Sequence, residues 1–257
     1  SVEVSGTRRV SLQEVERIAR QHSSSPLMLA SLETLKAELK KIPWIKEAQV
    51  TRILPDKLRI KIEERTPLML ARIDQSKAYW VDEEAVVLGE FDASLDKEVP
   101  PIVVGLTSKG TEAAQAENRE RVSVYKNLLW ALDSGKLKYS KQVEEIDLAN
   151  LKDVSLTMTQ GARPVEIALG NRDFRTRFLL AIDVLEALKN QDSAKLKNYQ
   201  ILDANILQNP ALISFISVVH PTQVAIRLAK RPSVDMAVTT ERTAFKAVPE
   251  KPSEKQS

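Results

Sequence analysis

His22 and His220 are the chain's two histidines, and it contains no cysteine. That excludes disulfides, thiolate nucleophiles and cysteine-based zinc sites. The two imidazoles lie far apart in unrelated contexts, so they read as surface or turn residues rather than a metal pair. Carboxylates come close together at Glu63-Glu64 and at Asp82-Glu83-Glu84, where general acid–base chemistry would be conceivable. Neighbours on a strand point to opposite faces, however, so Glu63 and Glu64 cannot serve one substrate. Both groups read as solvated strand and turn residues. Serines are plentiful, but no G-x-S-x-G or S-x-x-K falls in a strand–turn–helix context. The seven glycines form neither G-x-G-x-x-G nor a P-loop.

The remaining conspicuous side chains also read as structural. Trp44, at a helix-to-strand junction, reads as a packing anchor, and Trp80 and Trp130 as core. Lys230-Arg231 offers too few charges to hold an anionic surface. With 38 basic and 35 acidic residues, net charge is +3 and aromatics are 5%. Neither the charge nor the stacking surface of a nucleic-acid binder is present. No metal and no cofactor is expected. What remains is a non-enzymatic binding or scaffolding role.

The elements around these residues are strongly patterned. From Ile42 to Pro67 the chain reads as a helix exit, a strand, a turn and a second strand. Leu58, Ile60 and Ile62 alternate with Lys57, Arg59, Lys61 and Glu63, the period of a sheet with one buried face. Pro55-Asp56 supplies the turn. Upstream, Val4 to Ser11 reads as a strand and turn. Ser11 and Glu14 form an S-x-x-E capping box, with Val10 and Val15 placed for a hydrophobic staple. Leu12, Val15, Ile18 and Ala19 give an apolar helix stripe. A second helix begins near Ser31 as N-cap, shows Leu32, Leu35, Leu39 and Ile42 on one face, and is stopped by Pro43. The order is β-α-α-β-β.

Leu68–Ile73 and Ala78–Leu88, with turns at 74–77 and 82–84, read as a β-meander. Residues 111–134 read as a helix with Val122, Tyr125, Leu129 and Leu132 on one face, stopped at Gly135. Val154–Met158 and Val165–Leu169 form a hairpin across 160–164. A helix capped by Asn171 follows, with Phe174, Phe178, Ile182, Leu185 and Leu188 at helical spacing. Ile213–Val219, a turn at His220-Pro221 and Gln223–Leu228 make a last hairpin. From Ala229 the pattern gives way to an extended or disordered tail.

The run Pro43-Trp44-Ile45, then Pro55-Asp56-x-Leu58-x-Ile60-x-Ile62-x-Glu64-Arg65-x-Pro67, closely resembles the signature of the POTRA domain of the FtsQ/DivIB cell-division family. Gly6 belongs to the same motif. Leu68–Leu88, Val99–Gly105 and the final hairpin resemble the family's β domain more loosely. Ala85 stands where the family usually has Gly, and Val219-His220-Pro221 where acidic and aromatic residues are usual. The resemblance implies an α+β chain: a POTRA domain at 2–72, a mixed β-sheet domain with helices at 73–230, and a tail at 231–257.

It also implies a divisome scaffold outside the cytoplasmic membrane that recruits and bridges FtsB-like and FtsL-like partners. No run of about eighteen apolar residues occurs here, and no signal peptide. The resemblance therefore implies a single-pass anchor preceding Ser1. Strand addition is the expected mode, at Gln223, Val224, Ala225, Ile226, Arg227 and Leu228, with Val219 and His220 beside them. The alternative reading is a POTRA-containing component of outer-membrane protein assembly or secretion. A peptidoglycan-active enzyme would need a catalytic constellation that is missing.

Overall fold

The computed structural model describes residues 1–23, 31–54, 57–74, 77–96, 99–160, 163–196, 200–201, 213–218 and 223–228. The turn at Pro55-Asp56, the turn at Val219-His220-Pro221 and the segment from Ala229 onward lie outside them.

The first unit comprises β1 (Val2–Ser5), α1 (Leu12–Ser23), α2 (Ser31–Leu39), β2 (Ile45–Ile53) and β3 (Lys57–Glu64). Along β3, Leu58, Ile60 and Ile62 are buried while Arg59, Lys61 and Glu63 are exposed, as the alternation predicts. This half-apolar strand takes the centre of a three-stranded sheet, parallel to β1 and antiparallel to β2. Val15 and Ala19 of α1 and Leu35 and Leu39 of α2 close the core over its buried face. Gly6 has φ +90°, and a Cβ there would lie 2.0 Å from the Ile62 carbonyl oxygen. Only glycine lets the chain turn away from β3 at that point. Ser31, expected as the N-cap of α2, is instead its first helical residue.

Among the described residues the second unit holds a ten-stranded sheet. Its elements are β4 (Pro67–Arg72), β5 (Ala78–Asp82), β6 (Val87–Glu90), β7 (Ile102–Val104), α3 (Glu112–Asp133), β8 (Val143–Asp147), β9 (Val154–Gln160), β10 (Arg163–Gly170), α4 (Phe174–Lys189), α5 (Ser193–Leu196), β11 (Gln200–Ile201), β12 (Ile213–Ser217) and β13 (Gln223–Leu228). The spatial order is β11-β13-β12-β10-β9-β8-β7-β4-β5-β6.

The meander β4-β5-β6 and the hairpins β9-β10 and β12-β13 form as expected. The two sheets part at Thr66 rather than at residue 72, because β4 pairs with β5 and β7. The reason is burial on both faces. Met69 and Ala71 face the large core under α3 and α4, while Leu70 joins Trp80 and Leu88 on the opposite face. Such an unbroken apolar run belongs inside a covered sheet.

Helix α3 is capped by Thr111, whose hydroxyl accepts the Ala114 N–H at 3.3 Å. It buries Val122, Tyr125, Leu128 and Leu132. Trp130, read from sequence as core, is 71% exposed. At helical geometry it sits about 140° around from Tyr125, off the buried face. Asn171 does not cap α4. The N-cap is Asp173 at φ 54°, with no side-chain cap bond. Strand β10 runs on to Gly170 (φ 71°), so the helix starts two residues later than its cap signal.

The Tyr125 phenol is fully buried and has no hydrogen-bond partner among the described residues. Burial pushes its ionisation well above the ordinary tyrosine range. An unpaired buried hydroxyl costs about 1–3 kcal/mol. Tyr125→Phe is therefore expected to stabilise the protein by about 1 kcal/mol. A lower thermal midpoint in that variant would contradict this.

Candidate functional site

The final hairpin ends the large sheet at the side remote from the first unit. Strand β12 lies inside, between β10 and β13. Ile216, Val218 and Val224 are buried in the main core, and Ile226 and Leu228 pack against it half-buried. Arg227 is exposed, its guanidinium 4.7 Å from the ring centre of Phe215. The expectation of a bare edge along Gln223–Leu228 needs correction. Strand β11 pairs in parallel with Gln223 and Val224. The outer side of Ala225–Leu228 has no strand beside it among the described residues. Val219 and His220 lie outside the described residues.

Of the POTRA-type motif, Trp44, Glu64, Arg65 and Pro67 collect at the junction between the two sheets. Glu64, read as a solvated strand-end residue, instead grips the chain entering α1. Its Oε1 accepts the backbone N–H groups of Arg8, Arg9 and Val10 at 2.7, 3.0 and 2.9 Å. Arg65 points the other way. Its Nη1 donates to Asp82 Oδ2 and Glu84 Oε2, both at 2.6 Å. Its backbone N–H donates to the Trp44 carbonyl at 2.8 Å.

Asp82 is also more than a solvated turn residue, being 3% exposed. Its Oδ1 accepts the N–H groups of Glu84 and Val86 at 3.0 and 2.8 Å. Pro67 pairs with Asp82 across β4 and β5. Pro43 leads into Trp44, which is half-buried and packs against the cores of both units.

A second contact reinforces the first. Arg9 pairs with Asp96, whose other oxygen accepts Trp80 Nε1–H at 2.9 Å. The Arg9 guanidinium also lies 5.2 Å from the Trp44 ring centre. The hydrogen bond from Arg9, then that from Trp80, hold the Asp96 carboxyl below its ordinary range against the cost of burial. Sequence reading missed Arg9 and Asp96, which stand 87 residues apart and carry no local pattern.

His22 Nδ1 lies 2.9 Å from its own helix carbonyl at Ile18. No three His, Asp or Glu side chains converge on a metal site among the described residues.

Two predictions arise at the junction. Ala85 holds φ +65° in the Asp82 turn, a left-handed conformation costing a non-glycine residue about 1–2 kcal/mol. Ala85→Gly should therefore stabilise the protein by about 0.5–1 kcal/mol, net of the greater freedom of glycine when unfolded. An unchanged or lower chemical-denaturation midpoint would count against it.

The second concerns acid. Because Asp96 is depressed in the folded protein, its contribution is complete above the ordinary carboxyl value and is lost as pH falls through the folded one. Spin labels at Gln13→Cys and Arg119→Cys, in a chain without cysteine, should give one narrow distance distribution at neutral pH. It should broaden below about pH 4. Arg9→Gln combined with Arg65→Gln should broaden it at neutral pH. A narrow distribution in that variant would show that the charges do not hold the junction.

Comparison with known proteins agrees with this architecture. The FtsQ-type POTRA domain matches residues 1–65. The C-terminal domain of cell division protein FtsQ/DivIB matches residues 69–205. The two matches meet where the sheets part. The cell division protein FtsQ of Koribacter versatilis (strain Ellin345) is 27% identical over 230 residues, covering 88% of this chain and 63% of that protein. That of Geobacter sp. (strain M21) is 26% identical over 194 residues, covering 76% and 69%. That of Syntrophotalea carbinolica (strain DSM 2380 / NBRC 103641 / GraBd1) is 23% identical over 205 residues, covering 80% and 70%. The chain thus spans 63% to 70% of the length of these relatives.

Proposed function

Because the chain belongs to the FtsQ/DivIB family of cell-division proteins, we propose that it is a non-enzymatic divisome scaffold that binds its partners by strand addition to β13. The partners are FtsB-like and FtsL-like division proteins. The protein works outside the cytoplasmic membrane, held there by a single-pass anchor. Among the described residues no helix is long and apolar enough to cross a membrane, so the anchor belongs to this reading and not to the elements above.

The observation that carries the reading is the half-covered edge of β13. From Ala225 to Leu228 the strand is hydrogen bonded to β12 on one side and, among the described residues, meets no strand on the other. Backbone N–H and C=O groups on such an edge can pair with an incoming strand, and the pairing tolerates many side chains. Ile226 and Leu228 lean on the core, so the edge is braced and loses little freedom when a partner docks.

Proline scanning tests this. Of two neighbouring strand residues, one directs its N–H to the paired side and the other to the open side. Among Ala225→Pro and Ile226→Pro, the variant altering the open side should abolish binding of an FtsB-like segment from the same genome while leaving the circular dichroism spectrum unchanged. Ile216→Pro, inside the sheet, should unfold the second unit. Wild-type affinity in both edge variants would place the partner elsewhere, and the edge of the smaller sheet would be examined next.

A further inference from the structure

We propose that the end of the helical layer around Trp130 is a docking surface for anionic phospholipid. The surface forms where α3 ends and α4 begins. Trp130, one turn before the end of α3, is 71% exposed, and Leu137 in the loop beyond is 58% exposed. A Cβ on Gly135 would lie 3.8 Å from Arg175 Nη2, which sets that loop against the first turn of α4. Tyr139 then packs edge-on against Phe178, with ring centres 5.1 Å apart, and fixes it there. On the exposed side of α4, one turn past Arg175, Leu179 is 41% exposed.

Cations outnumber acids in the segments that carry these apolar side chains. Lys136, Lys138, Lys141, Arg172 and Arg175 are all exposed. The acids nearby in sequence are Asp133 and Asp173. The Asp133 carboxylate is occupied, accepting from the Ser140 N–H at 3.0 Å and the Ser140 hydroxyl at 2.7 Å. A large exposed tryptophan is unusual on a soluble surface. Together with exposed Leu137 and Leu179 and five exposed cations carried by the same helix ends and loop, the combination matches a bilayer interface. Indole and leucine enter the headgroup boundary while the cations meet phosphate. The sequence explains the exposure of Trp130: it is turned away from the stripe that α3 buries, so it does not serve the core.

The surface lies on α3 and α4, apart from the β13 edge, and its test does not depend on strand addition or on an anchor. The full chain is mixed with vesicles of phosphatidylglycerol carrying brominated acyl chains, and with brominated phosphatidylcholine as the neutral counterpart, at low ionic strength. Trp80 is 7% exposed and Trp44 half-buried, so contact quenching should come from Trp130. Anionic vesicles are expected to quench emission, neutral ones not, and Trp130→Phe should remove the quenching. Lys136→Glu with Arg175→Glu should weaken partitioning at least tenfold, with the circular dichroism spectrum unchanged. Equal partitioning of that variant, equal binding to neutral vesicles, or no binding to anionic ones would overturn the proposal. So would an acidic division protein whose binding needs Trp130 in the absence of any vesicle binding. Failure here leaves the strand-addition reading standing, since Ala225→Pro and Ile226→Pro report on a separate edge.

Discussion

The two neighbouring side chains at the end of β3 set most of this architecture. Glu64 and Arg65 leave the strand in opposite directions because successive strand residues must. The carboxylate ties down three backbone N–H groups at the entrance to α1. The guanidinium crosses to Asp82 and Glu84 in the next sheet. One dipeptide therefore closes the small domain and orients it on the large one. Hydrogen bonds with a charged partner are the stronger kind, and the Asp82 side chain is almost fully removed from water. Losing Arg65 would leave that carboxylate buried and short of a donor, which costs more than the contact itself contributes.

Trp44 completes the junction by chemistry that charges lack. It packs on the small core from one side and on Leu70, Trp80 and Leu88 from the other. A Cβ on Gly89 would come within 2.9 Å of its indole nitrogen, so the absence of a side chain at Gly89 makes room for it. The apolar second face of β4 and β5 is thereby covered by the small domain. Without that cover, Leu70 and its neighbours would form an exposed apolar patch. The contact between domains is thus partly a requirement of sheet burial, and the Arg9–Asp96 and Arg65–Asp82 pairs fix its angle.

How much of this was legible in the sequence follows from the range of each signal. Alternation in β3 and helical spacing in α3 are local; the first identifies the buried residues, and the second finds Val122, Tyr125 and Leu132 but takes half-buried Leu129 in place of buried Leu128, while Trp130 is wrongly placed in the core. That residue shows the limit: a large apolar side chain was assigned to the core by type, although its angle on the helix excluded it. Carboxylates were read by their immediate neighbours, which made Glu64 and Asp82 solvated residues. The backbone partners of Glu64 lie 54 to 56 residues away and the guanidinium partner of Asp82 lies 17 away, and no local pattern announces such pairs. The same holds for β11. Two residues carry no period, and their pairing partners Gln223 and Val224 stand 23 residues away.

That small strand bears on how a large open sheet limits its exposed edges. Ten strands leave two edges, and a free edge invites another chain. At β6 the edge strand is only four residues long, with Trp44 packed close to Gly89. At the other end, β11 covers the start of β13 with a very short strand, itself one of the ways proteins blunt an edge. Among the described residues the bare stretch that remains is four residues long, Ala225–Leu228. A stretch that short gives little template for uncontrolled sheet growth, since a lone pair of strands is marginal in water. A partner that adds there must bring further contacts of its own, from side chains or a helix beside its strand. Under the strand-addition reading, the geometry of β11 and β13 therefore favours selectivity over affinity: the edge accepts a short strand only when the rest of the partner also fits.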